Sequence, residues 1–406
     1  MKIIHVNYSG SKGGAAIAAK RISRALNKDE NISSILWCFK DPSGKNCESI
    51  YGWLRQKLNS IQNIILAKII GNKEHLSINL FGSSLVSKLN SSDADIVHLH
   101  WINGEFVSIE QLSRIRKPIF WTFHDMWPFL GAQHYSDDKT FISGYDKNIS
   151  NSKISSIPNL NNWVFQRKLR FWKNLNIQII CPSKWLADSV NESYLLKHQS
   201  VQVIRNCLNS EIFKPLNKKN EVRQKFKIPI NKKVILFGAV SADDKRKGGD
   251  LLIAALENLD RVNDYALVVF GKSNDRFFNG KNCHFIDTIS EELILTEVYN
   301  CADVMCVPSR QDNLPNTAVE AAMCGVPVVA YDVGGLSEII DHKVSGYLAK
   351  PFIINDLAQG IQWSADTENN HFLSKNAREK ALKNFDEKKI SGLYMEAYHN
   401  ILSVKS

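Results

Sequence analysis

Residues 303–330 read DVMCVPSRQDNLPNTAVEAAMCGVPVVA, and this stretch decides the fold class. It opens with an apolar run, continues through a polar loop, and has small residues at helical spacing from Asn316 or Thr317 to Cys324. A second apolar run, 327–330, follows. This order predicts a strand, a loop, a helix and a further strand, because parallel strands are joined by helix-length crossovers.

The same alternation fills the rest of the chain. It predicts an α/β protein of two doubly wound, Rossmann-like domains that face each other across a cleft. We expect the domains at 1–212 and 213–385, and we expect the helical tail, 386–406, to pack back on the first domain. Strands are predicted at 2–6, 34–37, 96–100, 119–123, 178–181 and 201–204, and then at 234–238, 266–270, 303–307 and 327–330.

Composition limits the classes of function. The 406 residues are 44% hydrophobic and have a net charge of +10, which fits a globular two-domain protein that binds an anion: phosphate, an acidic membrane surface or nucleic acid. No nucleic-acid-binding motif is recognised, so that partner is not expected. The eight cysteines form no C-x-x-C pair and no secretory leader precedes Met1, so we expect a cytoplasmic protein.

One segment has the pattern of a membrane-surface helix. Apolar residues recur there at helical spacing with basic residues between them, and two interpretations stay open: the helix packs its apolar side on a core, or it lies on an anionic membrane. No apolar stretch reaches the length that spans a bilayer. The apolar positions are Trp53, Leu54, Leu58, Ile61, Ile65 and Ile69, and the basic ones are Arg55, Lys57 and Lys68.

The helix start near Asn316 is a candidate anion site. The first N–H groups of a helix have no acceptor within it, and the helix dipole adds positive charge there. Glu320 lies about one turn inside the helix, where a carboxylate can accept hydrogen bonds from ribose hydroxyls. The alternative is that Asn316 is a plain N-cap and Glu320 a solvated first-turn acid.

A longer pattern surrounds this helix. Asp312 lies eight positions before Glu320, Gly-x-Pro-Val-Val occupies 325–329, and Gly-Gly-Leu-Ser-Glu-Ile-Ile occupies 334–340. This pattern resembles the nucleotide-sugar site of the family-4 retaining glycosyltransferases of GT-B fold, densely over 234–348 and more loosely elsewhere. The resemblance implies that Asp312, at the position of the family's first Glu, contacts the donor sugar and that Glu320 holds the ribose.

The resemblance also assigns roles to the neighbouring loops. It implies that Lys247 and Arg246 stabilise the charge that builds on the leaving diphosphate. Two residues depart from the family: Asp312 is one methylene shorter than Glu, and Ala239 stands where an Arg is usual, a place that Arg246 can take. Taken alone, 244–249 is more simply a solvated cationic turn. The resemblance implies that the loop backbone at Asn313, Leu314, Pro315, Asn316 and Thr317 lines the sugar and diphosphate.

In the first domain the resemblance points to two further places. His124 follows a predicted strand, where similar enzymes have a histidine that touches the donor sugar near the reaction centre. An isolated His-Asp pair is otherwise structural more often than catalytic. Gly13 and Gly14 resemble the first glycine loop of these transferases, where missing side chains let substrate reach the backbone.

His98 and His100 are a weaker candidate site. They project to one side of an extended run and could ligate zinc together, but no third ligand is evident at suitable spacing, so no metal is expected. The segment 99–135 also resembles a subgroup of bacterial exopolysaccharide, colanic acid and O-antigen transferases. That subgroup commonly has cysteines in the loop after Trp127, and this chain has none there.

Together these features predict a retaining, metal-independent hexosyltransferase. It would move a sugar from a nucleoside diphosphate, its co-substrate, to a lipid-linked glycan in bacterial surface polysaccharide synthesis, without a cofactor, in the cytoplasm at the inner face of the membrane. The resemblance implies that the transferred sugar keeps its anomeric configuration. No carboxylate is placed as a covalent nucleophile. Two alternatives stay open: a non-catalytic GT-B-like protein that binds polyanions or sugar nucleotides, and a GT-B-like sugar-nucleotide epimerase.

Overall fold

The computed structural model describes residues 1–70, 76–145, 160–241, 244–272 and 282–403. The chain divides into two compact units, one of Met1–Arg205 with Ile390–Ser406 and one of Asn206–Lys389. Each unit is an α/β domain built on one parallel sheet, as the alternation of apolar runs and helical stretches predicts.

Within its described residues, the first unit has a seven-stranded sheet. The strands are β1 (Lys2–Ser9), β2 (Ser33–Lys40), β3 (Cys47–Ser49), β4 (Ile96–Leu99), β5 (Ile119–Thr122), β6 (Ile177–Cys181) and β7 (Ser200–Val203). The helices are α1 (Gly14–Leu26), α2 (Trp53–Ile70), α3 (Leu85–Ser91), α4 (Ile109–Leu112), α5 (Thr140–Ser143), α6 (Leu160–Trp172) and α7 (Lys184–Glu192). The strand order is β3-β2-β1-β4-β5-β6-β7. The central strands β4 and β5 are buried along their whole length, since helices cover both faces of a parallel sheet.

Helix α2 turns four apolar residues of the predicted stripe toward solvent. Leu54, Leu58, Ile61 and Ile65 are each between 46% and 60% exposed. The interpretation that this stripe packs on a core is therefore wrong. The other two apolar positions of the pattern are Trp53 and Ile69, whose side chains are not among those that the structure describes.

Among the side chains of α2 that the structure describes, those that face the protein are polar. Asn59 is fully buried, accepts a hydrogen bond from the Tyr8 hydroxyl (3.0 Å) and donates one to the carbonyl of Gly104 (2.9 Å). One turn earlier in α2, the side-chain amide of Gln56 donates a hydrogen bond to Ser49 Oγ (3.0 Å). These bonds hold the helix by its polar face, which leaves the apolar stripe uncovered. Within the described residues, every helix is too short or too polar to cross a bilayer.

Within its described residues, the second unit has a six-stranded sheet. The strands are β8 (Lys233–Ser241), β9 (Tyr265–Lys272), β10 (Cys283–Ile286), β11 (Val304–Val307), β12 (Val328–Tyr331) and β13 (Gly346–Ala349). The helices are α8 (Lys219–Lys225), α9 (Gly249–Glu257), α10 (Glu292–Asn300), α11 (Asn316–Met323), α12 (Leu336–Ile339), α13 (Ile354–Ala365) and α14 (Thr367–Phe385), with 3₁₀ turns at Lys245–Lys247 and Val262–Asp264. The order is β10-β9-β8-β11-β12-β13, so the direction of strand addition changes between β8 and β11.

The last helix, α15 (Glu387–Ser403), carries the chain back to the first unit. Tyr398 is fully buried there, with its ring 4.7 Å from that of Phe120 and its hydroxyl 2.6 Å from Nδ1 of His98. Packing of the tail on the first unit is thus observed from Ile390 onward.

The boundaries between the compact units differ from those expected at 212/213 and 385/386. The units change at 205/206 and at 389/390. The reason is that the two crossing segments pair with each other: Leu208 N–H donates to the carbonyl of Phe385 (2.8 Å), and Glu387 N–H donates to that of Leu208 (3.0 Å). Leu208 and Phe385 also lie in one hydrophobic core of the second unit, which keeps both segments with that unit.

Candidate active site

Three loops meet at the carboxyl edge of the second sheet, where open α/β sheets bind their ligands. They follow β8, β11 and β12, and β8 and β11 are the strands between which the order changes direction. Two glycines let the loops touch. A Cβ on Gly248 (φ +72°) would lie 1.9 Å from the carbonyl oxygen of Pro308, and one on Gly334 (φ +59°) would lie 1.9 Å from that of Asp312.

Hydrogen bonds fix the loop after β8 to the loop after β11. Arg310 N–H donates to the carbonyl of Arg246 (2.8 Å), and the Arg246 guanidinium donates to the carbonyl of Gln311 (2.9 Å). The Arg310 guanidinium donates to both carboxylate oxygens of Asp250, at 2.7 and 2.8 Å. The segment 245–247 is therefore tied to its neighbours, and the interpretation as a freely solvated cationic turn is wrong.

Asp312 lies at the centre of these loops and is 6% exposed. Its carboxylate accepts hydrogen bonds from Lys247 Nζ (2.5 Å) and Ser309 Oγ (3.1 Å), and Arg246 Nη1 lies 3.5 Å away. Burial opposes ionisation, but the two cations and the hydrogen bonds outweigh it, so the pKa of Asp312 is lower than its ordinary value. The structure thus brings together three predicted residues and adds Ser309, for which the sequence has no spacing signal.

Helix α11 begins where the sequence predicts. Pro315, with φ −66° and ψ 123°, is the N-cap residue before the first helical residue, Asn316, and it makes no side-chain capping hydrogen bond. The interpretation of Asn316 as a plain N-cap is therefore wrong; its side-chain oxygen instead accepts a hydrogen bond from Asn206 Nδ2 (3.0 Å). Asn313 and Leu314 are buried, and Leu314 packs in the core, so it can reach a ligand through its backbone alone.

Glu320 is buried, 3% exposed, one turn inside α11. Its Oε2 accepts a hydrogen bond from the hydroxyl of Tyr299 on α10 (2.6 Å). The interpretation of Glu320 as a solvated acid is therefore wrong. A buried carboxylate needs donors to offset its lost hydration, and hydroxyls such as that of Tyr299 or of a ribose provide them. Its contact with ribose stays a prediction.

In the first unit, Gly13 precedes α1 with φ +92° and ψ 158°, a conformation that glycine alone adopts readily. Gly14 is the first residue of the helix, and Ile17 N–H donates to the carbonyl of Gly13 (3.1 Å). Gly13 is thus required by the backbone, and the approach of a substrate to Gly13 and Gly14 stays a prediction.

His124 follows β5 and is partly exposed. Its Nε2 lies 3.0 Å from Nδ1 of His100. Burial lowers the pKa of His124 to about 4, so the ring is neutral at pH 7.

Asp125, the next residue, has a structural role. Its carboxylate accepts hydrogen bonds from the Trp127 N–H (3.0 Å), from Trp101 Nε1 (3.1 Å) and from Nδ1 of His134 (2.6 Å). Asp125 therefore anchors the loop after β5. The same loop is held by the buried Lys168, whose Nζ donates to three carbonyl oxygens, those of Trp127, Leu130 and Gly131.

The structure adds a third histidine to the pair His98 and His100. His5 on β1 is paired in register with His98, and one ring nitrogen from each of His5, His98 and His100 lies within 4.8 Å of the other two. Sequence analysis missed His5 because it lies 93 residues before its partner in register. Each of the eight cysteines lies in a described part of the chain, and none of them is in a disulfide bond.

Two protein-family models match the chain. Glycosyltransferase Family 4 matches residues 12–212, and Glycosyl transferases group 1 matches residues 219–380. Among curated proteins, an uncharacterized glycosyltransferase of Methanocaldococcus jannaschii is 26% identical over 366 residues, which cover 86% of this chain and 84% of that protein.

Solved glycosyltransferase structures share the fold. Sucrose-phosphate synthase of Thermosynechococcus elongatus superposes with a TM-score of 0.73 at 19% identity over 99% of both chains. HepE of Anabaena, solved in complex with UDP-glucose, superposes with a TM-score of 0.65 at 17% identity over 100% of both chains. Because glycosyltransferase models match 12–212 and 219–380 and the fold matches these structures over nearly the whole chain, the chain belongs to the glycosyltransferases of GT-B fold.

Proposed function

We propose that this glycosyltransferase moves a hexose from a nucleoside diphosphate to a lipid-linked saccharide in bacterial surface polysaccharide synthesis, with retention and without a metal ion. The observation that carries the proposal is the pair of cations, Lys247 and Arg246, fixed around Asp312 at the carboxyl edge of the second sheet. A diphosphate suits such a site. The structural likeness to HepE, solved with UDP-glucose, supports a nucleotide sugar as donor.

The cations act on the leaving group. As the bond between C1 of the sugar and the phosphate oxygen breaks, negative charge builds on the diphosphate, and preorganised cations stabilise that charge more than they stabilise the ground state. Lys247 and Arg246 provide the positive charge that a divalent ion would otherwise provide. The acceptor hydroxyl attacks C1 from the face of the leaving phosphate, and the phosphate oxygen takes its proton.

A donor screen tests the first half of the proposal. A panel of UDP-, GDP- and ADP-sugars is expected to include one that raises the melting temperature by mass action. With that donor, Lys247→Ala is expected to lower kcat by about 100-fold or more, the size found when one stabilising donor is removed. Lys245→Ala, which removes an exposed lysine from the same turn, is the matched control and keeps near-normal kcat.

Product analysis separates the alternatives. NMR of the product is expected to show the anomeric configuration of the donor, and EDTA is expected to leave the rate unchanged. An inverted linkage or a rate lost with EDTA would contradict retention or metal independence. Conversion of the nucleotide sugar without any acceptor would identify an epimerase, and tight binding with no turnover of any donor would identify a binding protein.

The apolar stripe of α2 supports the membrane part of the proposal. Leu54, Leu58, Ile61 and Ile65 face outward, and the basic Lys57 lies beside them on the exposed surface. A helix with an uncovered apolar face and basic flanks binds the interface of an anionic membrane. A lipid-linked acceptor resides at that surface, so we place the enzyme at the inner face of the cytoplasmic membrane.

Vesicle flotation tests this contact. The full chain is expected to float with vesicles containing phosphatidylglycerol and to stay behind with phosphatidylcholine alone. Leu58→Glu with Ile61→Glu is expected to abolish flotation, whereas Leu293→Glu, at a 69% exposed leucine of the second unit, leaves it unchanged. Flotation of the double variant at wild-type level would overturn the proposal.

A further inference from the structure

Three histidines of the first unit form a hydrogen-bonded row. Nδ1 of His5 lies 2.9 Å from Nε2 of His100, and Nδ1 of His100 lies 3.0 Å from Nε2 of His124. The residues come from β1 and from the ends of β4 and β5, which are neighbours in the sheet. Each contact between two imidazole nitrogens at this distance holds one proton, carried by one of the two rings.

His5, at the buried end of the row, determines which ring donates the proton in each hydrogen bond. His5 is fully buried, and its Nε2 has no hydrogen-bond partner. A buried N–H without an acceptor is rarer in proteins than a buried acceptor without a donor. The proton of neutral His5 therefore sits on Nδ1, which donates to Nε2 of His100.

The position of the proton on His5 then determines which nitrogen is protonated on His100 and on His124. Neutral His100, with Nε2 acting as acceptor, has its proton on Nδ1 and donates to Nε2 of His124. Neutral His124 in turn has its proton on Nδ1. Burial supports the neutral form of all three, because it lowers the pKa of His5 to about 3, that of His124 to about 4 and that of His100 well below its ordinary value.

We propose that His5 and His100 are positioning residues that hold His124 in the tautomer with its proton on Nδ1, so that it meets the donor sugar as a hydrogen-bond donor and not as a base. This inference rests on the proposed function. A neutral donor orients the sugar without adding a cation near C1, where positive charge develops in glycosyl transfer.

The contacts favour this row of protons over a metal ion held by the same rings. Both ring nitrogens of His98 contact hydroxyls, at 2.6 Å from Tyr398 and 2.8 Å from Thr122. The 2.9 Å contact between His5 and His100 has the length of a hydrogen bond. A metal that took one nitrogen of His98 and one of His100 would have to displace a hydrogen bond from each of these two rings.

Two substitutions of one residue separate the two halves of the row. The amide nitrogen of Asn lies as many bonds from Cα as Nδ1, so His100→Asn keeps a donor toward His124. The amide of Gln lies as far as Nε2, so His100→Gln keeps the contact with His5 and loses the one with His124. We expect His100→Asn to retain kcat within about threefold and His100→Gln to lose about 10- to 100-fold in kcat, with little change in KM.

The tautomer is read directly by ¹⁵N NMR of the full chain with labelled histidine. The His124 signals are assigned by their loss in His124→Gln. Wild type and His100→Asn are expected to show a protonated Nδ1 on His124, and His100→Gln a mixture of tautomers. His98→Gln, at an equally buried histidine outside the row, is the control: it is expected to lower stability and leave the His124 signals unchanged.

Several outcomes would overturn the inference. A proton on Nε2 of His124 in the wild type, equal kcat in the two His100 variants, or one equivalent of zinc in the purified protein that is lost in His5→Leu would each do so. The NMR reading needs no substrate. A chain that turns over no donor would therefore refute the proposed function, while the His124 spectrum would still decide the tautomer.

Discussion

At the scale of single residues, Gly248 sets the spacing of the loops that hold the cations. Gly248→Ala places a Cβ at 1.9 Å from the carbonyl oxygen of Pro308, so one loop must move. We expect a loss of about 1–3 kcal/mol of stability and an affinity for the nucleoside diphosphate at least about tenfold weaker, measured by titration calorimetry.

Gly325→Ala is the matched control for this prediction. Gly325 also has φ +72°, so alanine there has the same backbone strain, but the nearest atom to its Cβ lies at 3.2 Å and belongs to the side chain of Pro215. Affinity should be retained in Gly325→Ala. Equal losses of affinity in both variants would show that backbone strain alone, and not loop spacing, explains the effect.

Glu320 offers a second prediction at this scale. Glu320→Gln keeps an acceptor for the Tyr299 hydroxyl but removes the charge, and charged hydrogen bonds are stronger than neutral ones. If Glu320 holds the ribose, nucleotide affinity should fall about tenfold while the melting temperature changes little. Tyr299→Phe should do the reverse, lowering stability more than affinity. Wild-type affinity in Glu320→Gln would remove Glu320 from the donor site.

At the scale of elements, helix α15 completes the core of the first unit. The Tyr398 hydroxyl lies 2.6 Å from Nδ1 of the buried His98, so Tyr398→Phe leaves a buried ring nitrogen without this partner. We expect a loss of about 1–3 kcal/mol in the stability of the first unit, measured by denaturant dependence of amide hydrogen exchange in β4 and β5.

The control for Tyr398 is a tyrosine on the surface of the same unit. Tyr194 is 46% exposed, and Tyr194→Phe is expected to change stability by less than about 0.5 kcal/mol. The prediction would be contradicted if the Tyr398→Phe variant lost protection from hydrogen exchange in its second unit while its first unit kept the wild-type protection.

At the scale of the whole molecule, buried neutral histidines make the first unit sensitive to acid. Burial lowers the pKa of His5 to about 3 and of His124 to about 4, and places those of His98 and His100 well below the ordinary value of 6.5. Below pH 6.5 the unfolded chain binds protons that the folded chain does not. Stability is therefore complete above about pH 6.5 and falls as pH drops toward the folded-state values.

Below pH 6.5, the free energy of unfolding is expected to fall by up to about 1.4 kcal/mol per pH unit for each such histidine. Hydrogen exchange at pH 7.5 and pH 5.5, corrected for the intrinsic rate, should show β1, β4 and β5 losing protection while β8 and β11 keep most of theirs. Equal protection of the first sheet at both pH values would mean that these histidines are protonated in the folded protein.

Local spacing was enough to predict much of this protein. Apolar runs alternating with helical stretches predict two parallel sheets because strand and helix periodicity depend on neighbouring residues. The start of α11 could be read in the same way, whereas the roles of Asp312 and of the cations 246–247 came from the resemblance to a known family. The strands that sequence analysis missed, β3, β10 and β13, lie at sheet edges and are only three or four residues long, too short for a clear alternation of apolar and polar residues.

Only the tertiary structure decided which residues meet across long distances in the chain. It placed His5 beside His100 and Tyr299 beside Glu320, and it turned the polar side chain of Asn59 on α2 inward. The physical reason is that a periodicity shows that a helix has two faces, whereas the partners available to each face determine which one is buried. Those partners are brought together by the order of strands in the sheet, which no local pattern encodes.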